Sequence, residues 1–225
     1  MVIEVLTGYE RDFTMTNYQI SLHIKTVLAQ LINCIFIPIM ANYFIKQNIY
    51  GENGLIEDVL ILGITNSLVY PLGKALNPAY LLRYFYAKYR AMPRNKLDLH
   101  QFELNQLFEK QQFEIGYEYI FVVNLFIFTC FFVSLQPILP VFALIGLLLI
   151  YWVEKYNLFH RSQRPVPGTP IINTTVSQLI YFGAVAYTLG SMTWANFLPD
   201  SQFKAALIPN IFALAASVII FLLPY

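Results

Sequence analysis

The chain has 225 residues, of which 57% are hydrophobic and only 12% charged, with a net charge of +1. A charged share about half that of ordinary globular domains excludes a soluble domain burying its own core, and the near-balanced charge excludes a nucleic-acid-binding protein, which would carry a basic stripe. The fold class that remains is all-α: a polytopic membrane helix bundle, with stretches reaching the roughly 20 apolar residues that a bilayer crossing needs.

Residues 1–18 are mixed and mildly charged, with no basic segment followed by an apolar run, so they do not form a cleavable signal. The first span is expected over 19–45 and contains Pro38, which removes one backbone hydrogen bond and bends the helix. GENG at 51–54 is a turn signal. A second span follows over 55–84, interrupted by Asn66, Pro71, Gly73, Lys74, Asn77 and Pro78. After the basic run RYFYAKYRAMPRNK, an amphipathic helix is expected over 97–114, where Leu97, Leu104, Leu107 and Phe108 share one face. The third and fourth spans, 117–136 and 138–153, are joined so closely at Gln136, Pro137 and Pro140 that they form a tight hairpin. Tyr151 and Trp152 belong at the headgroup level. Prolines 165, 167 and 170 mark an aqueous connection before the fifth span, 171–196, and the sixth, 203–223.

Six crossings put both termini on one side of the membrane. With that side cytoplasmic, eleven of the fourteen Lys and Arg residues face the cytoplasm, Lys46 and Lys204 face out, and Lys74 lies within a span. This asymmetry obeys the positive-inside rule and supports both the orientation and the six-span count; the plasma membrane is expected rather than an internal one. No linker or low-complexity tract divides the chain, so a single transmembrane domain over 1–225 is expected.

Enzymatic machinery is not visible. The three histidines are isolated from one another, the two cysteines lie far apart inside apolar spans, and neither a P-loop nor a nucleophile elbow occurs, so no catalytic residue, metal site or cofactor is assigned. Polar residues within spans carry more information, because each is costly in hydrocarbon and turns toward a partner or water. On the first span Gln30, Asn33 and Ile37 continue a face begun by His23 and Thr26. That pattern fits either a water-filled vestibule narrowing to an apolar constriction or hydrogen bonding that glues helices together. On the second span Asn66, Tyr70, Gly73 and Asn77 share a face with Lys74 at its edge. Lys74 either snorkels to the surface or puts a positive charge beside a conduction path. Glu57 and Asp58 serve as acids at an outer mouth or as charges favoured by the helix N-terminus.

The sequence FEIGYEY, an aromatic span, QPILP and YWVEKYNL resemble the OSCA family of calcium-permeable, stress-gated cation channels, relatives of the anoctamins. Phe113, Gly116, Tyr119, Pro137, Pro140, Tyr151 and Lys155 carry the likeness. Upstream, KTVLAQLINCIFIP and LIEDVLILGITNSLVYPLGK look like the helix before the long pore helix and that pore helix itself. The resemblance implies a mechanically or osmotically gated, non-selective cation channel that conducts calcium, is a homodimer in the bilayer, and has one pore per protomer. It also implies that the chain is the C-terminal half of such a channel, without its earlier helices and large cytosolic domain. A non-conducting subunit or scaffold, and an anoctamin-like lipid scramblase, are the alternative readings.

Overall fold

The structure is a computed structural model that describes residues 7, 9–10, 14–42, 44, 54–90, 101–102, 105, 109–110, 115–163, 170–195 and 200–222. Among them the architecture is the expected all-α membrane bundle, without strands. Three stretches, Asn17–Ala41, Leu55–Tyr89 and Leu139–His160, are long and apolar enough to cross a bilayer, and Glu118–Phe132 and Leu207–Leu222 are shorter apolar helices. The expected amphipathic helix over 97–114 lies almost entirely outside the described residues, as does Phe113.

Helix α1, Met15–Leu31, starts at Thr14, whose extended backbone (φ −130°) lets its hydroxyl accept a hydrogen bond from the Asn17 amide at 3.2 Å. A π-helical turn, Ile32–Phe36, connects it to α2, Ile37–Ala41. The second rod repeats this construction: α3, Leu55–Ile64, passes through a π-turn, Thr65–Val69, into α4, Tyr70–Leu76. Each π-turn ends two residues before a proline, Pro38 or Pro71. Proline lacks an amide hydrogen and its ring crowds the carbonyl four residues back, so a locally wider turn accommodates it without breaking the rod. The expected bend at Pro38 therefore takes the form of a π-turn.

The rod does break at Asn77. This residue is in the left-handed conformation (φ 39°, ψ 71°), and its amide donates to the Gly73 carbonyl, closing α4. Its side-chain oxygen accepts from the Tyr80 amide at 3.1 Å, opening α5, Pro78–Arg90. One residue thus closes one helix and caps the next, with Pro78 placed where a helix tolerates a missing donor.

Helix α6, Ile115–Phe132, is the hub of the bundle. Its Ile120, Val123, Ile127, Phe128 and Phe132 pack with Val27 of α1, Leu55 and Val59 of α3, and Trp194 of α8, Pro170–Ala195. Helix α7, Leu139–His160, returns beside it after the turn at Gln136 and Pro137. Helix α9, Asp200–Leu222, lies against α8, with Thr188 and Ser217 hydroxyls 3.4 Å apart. Lipid tails are as apolar as these side chains, so the helices are held by close packing and hydrogen bonds rather than by escape from water. Glycines permit that closeness. A Cβ on Gly190 of α8 would stand 2.0 Å from the Phe131 carbonyl oxygen, and one on Gly146 of α7 would stand 2.7 Å from that of Ser67. Trp194 strengthens the first contact by donating its indole N–H to the Phe131 carbonyl at 3.3 Å.

Candidate functional site

The contact of Gly146 with Ser67 lays α7 directly on the π-turn of the second rod. Below it, α4 carries Tyr70 and Lys74 one helical turn apart, and α7 carries Glu154, Asn157 and Arg161 at spacings of three and four, hence on one face. Glu118 and Phe121 come from α6. Tyr70 stacks on Phe121 with ring centroids 4.1 Å apart and planes inclined by 12°. The stack directs the last turn of α4 toward the acids of its two neighbours.

The Lys74 ammonium hydrogen-bonds Glu118 Oε1 and lies 3.9 Å from Glu154 Oε1. Both carboxylates are 15% exposed, while the lysine side chain is 35% exposed. A charged group at such depth requires an opposite charge within reach, and here two acids share one base. The main chain of α4 is held as well. Asn157 donates its side-chain amide to the Lys74 carbonyl at 3.5 Å, and Arg161 donates to the Ala75 carbonyl at 2.7 Å. The last carbonyls of a helix have no partner within it, and α7 supplies one from outside. The Arg161 guanidinium also lies over the rings of Tyr80 and Tyr156, 5.2 and 5.1 Å from their centroids, and so touches the helices on both sides of the Asn77 break.

The residues singled out from sequence are distributed around this cluster. Asn66 turns to the first rod, its amide nitrogen 3.8 Å from Cys34 Sγ, and Tyr70 and Lys74 turn to α6. Gly73 lies on the exposed side, where a Cβ would meet nothing within 4 Å, and Asn77 forms the break. On the first rod Gln30 is half-buried, while Asn33 and Ile37 are exposed. Glu57 is exposed at the start of α3, and its neighbour Asp58 accepts from Asn42 at 2.8 Å. Gly116 packs against the buried His23 ring, and Tyr119 donates to Asn173 at 3.2 Å. Pro137 and Pro140 are at the hairpin, and the Lys155 ammonium sits over Tyr151 and Trp152 at 5.7 and 5.3 Å.

Sequence reasoning missed Glu118, Glu154, Asn157 and Arg161. The two acids stand inside quoted motifs, GYEY and YWVEKY, and an ionisable residue at membrane depth is itself the signal that could have found them.

Apolar helices of crossing length, with ionisable side chains paired among them, define an integral membrane protein of the polytopic helical class. The chain belongs to the anoctamin family: the family model described as "Anoctamin: Calcium-activated chloride channel" matches residues 1–223. Among curated proteins and solved structures, nothing matches.

Proposed function

We propose that the chain supplies the pore-bordering helices of a mechanically or osmotically gated, calcium-permeable cation channel of the OSCA type. The observation that carries this reading is the construction of the second rod: a π-turn at Thr65–Val69, an open face at Gly73 and a left-handed break at Asn77. Interrupted helices persist at membrane depth where they are buried in protein or line a cavity, and a break of this kind lets one half of a rod swing against the other. The balance of charge supports cations over anions, because Glu57 and Asp58 stand at the start of the rod and two acids outnumber Lys74 at its lower end. The distribution of basic residues supports cytoplasmic termini. A homodimer in the plasma membrane follows from the family likeness.

The test is stretch-evoked current in membrane patches, recorded in a full-length context. Gly73→Leu adds bulk on a face where no protein atom stands in its way, and it is expected to reduce that current. In a sodium chloride gradient the reversal potential should move toward the sodium equilibrium value. Unchanged current and selectivity in the Gly73 variant remove this face from the pore, and a reversal potential near that of chloride overturns the cation assignment.

A second reading, lipid scrambling, rests on the anoctamin match and would use the same interrupted rod as a groove. It predicts lipid flip-flop in liposomes without current. A scaffold subunit would show neither.

A further inference from the structure

The family description attaches calcium activation to proteins of this kind. Calcium takes six to eight oxygen ligands, usually with several carboxylates among them. Among the described residues no group of three or more His, Cys, Asp or Glu side chains comes together. Two carboxylates do converge, those of Glu118 and Glu154, and the cation between them is the ammonium of Lys74. With that ammonium in place the residues do not fit a calcium ion, which would have to enter against a fixed positive charge bonded to one of its ligands.

The lysine is positioned rather than merely nearby. Its carbonyl accepts from Asn157, the next carbonyl accepts from Arg161, and its ammonium lies 5.7 Å from the centroid of the Tyr70 ring, which is itself stacked on Phe121. Two acceptors beside it, Glu118 Oε2 and Glu154 Oε1, are buried and make no hydrogen bond. A divalent ion held between the two acids could dissociate, whereas the tethered ammonium cannot.

We propose that Lys74 is a built-in substitute for a dissociable divalent cation. It joins α4 to α6 and α7 permanently, so that the contact between these helices does not depend on calcium. Removal of the ammonium leaves two acids with four carboxylate oxygens, beside the Asn157 side chain, and converts the cluster into a site for calcium. The inference concerns the cation at the cluster and holds whichever solute the protein passes, so it stands or falls separately from the channel reading.

The experiment is thermal unfolding of the purified full chain in detergent, in a chelator and in about 1 mM free calcium, with magnesium as the comparison ion. The unaltered protein should melt at the same temperature in all three. Lys74→Gln should melt lower in chelator and recover by ~5 °C or more in calcium, and Lys74→Gln combined with Glu118→Gln should lose that response. Should Lys74→Gln fail to survive in chelator, purification in calcium throughout should yield a monodisperse protein. Three outcomes overturn the proposal: calcium stabilisation of the unaltered protein that Glu118→Gln abolishes, a folded Lys74→Gln indifferent to calcium or equally responsive to magnesium, or aggregation of Lys74→Gln whether calcium is present or not.

Discussion

Replacing Gly146 by alanine perturbs the contact on which the ion cluster depends. The added methyl would stand 2.7 Å from the Ser67 carbonyl oxygen, 2.9 Å from its Cα and 3.0 Å from its Cβ, where ordinary contacts begin near 3.4 Å. Two of the three atoms are backbone, and the third is fixed to it, so no rotamer change relieves the clash. Either α7 retreats by several tenths of an ångström or the π-turn rewinds, and overpacking of this kind costs about 1–3 kcal/mol. At about 2–4 °C per kcal/mol for a chain of this size, the unfolding temperature should fall by roughly 2–12 °C. Gly73→Ala is the matched control. Its methyl meets nothing within 4 Å, and alanine gains about 1 kcal/mol over glycine within a helix. Thermal unfolding of both variants in detergent, followed by tryptophan fluorescence, makes the comparison. A Gly146→Ala protein as stable as Gly73→Ala would refute direct backbone contact between α7 and the second rod.

The left-handed break and the lead-in before α1 give further tests. Asn77→Ala exchanges a residue whose polar side chain tolerates the left-handed conformation for one that does not, and removes the acceptor for the Tyr80 amide, which together should cost about 2–3 kcal/mol in chemical unfolding. Asn77→Gly restores the conformation but not the cap, and should fall between wild type and Asn77→Ala; equal losses would show that conformation contributes nothing there. Glu10 is hydrogen-bonded to Lys25, and the ammonium holds its carboxyl below the usual carboxylate range. A depressed carboxyl stabilises the folded state above that range and ceases to do so as the pH falls through its folded value. The difference in unfolding temperature between wild type and Lys25→Met should therefore be small at neutral pH and vanish on acidification or in high salt, and a difference that grows in acid would contradict the pairing.

Much of the bundle was legible because composition and period act locally. A run of apolar residues with few charges must be helical in a bilayer, whatever surrounds it, since each backbone amide needs a partner within its own segment. The same local rules marked Pro38 as a place where a backbone hydrogen bond is lost and the series Asn66, Pro71, Gly73, Lys74, Asn77 and Pro78 as an interruption of the second span. They also identified the second rod as the least regular, and the structure has both a π-turn and a break there. Polar residues on a helical face are less informative, because a wheel shows that they share a direction but not what lies in that direction. Asn66 faces Cys34 of the first rod, Tyr70 faces Phe121, and Gly73, expected on the same stripe, is on the open side.

The membrane class, the helical content, the interrupted character of the second span and the family likeness all follow from residues close together in the chain. The partner of each buried polar group follows instead from how the helices pack. Lys74 and Glu118 are separated by 44 positions and Arg161 and Ala75 by 86. Nothing in the local pattern relates such residues until helices lie side by side. Lys74, read from sequence as a charge either snorkelling out or lining a path, has its ammonium beside two acids from neighbouring helices. The reason is steric before it is electrostatic: glycine at 146 lets α7 approach the π-turn closely enough for Glu154, Asn157 and Arg161 to reach the end of α4.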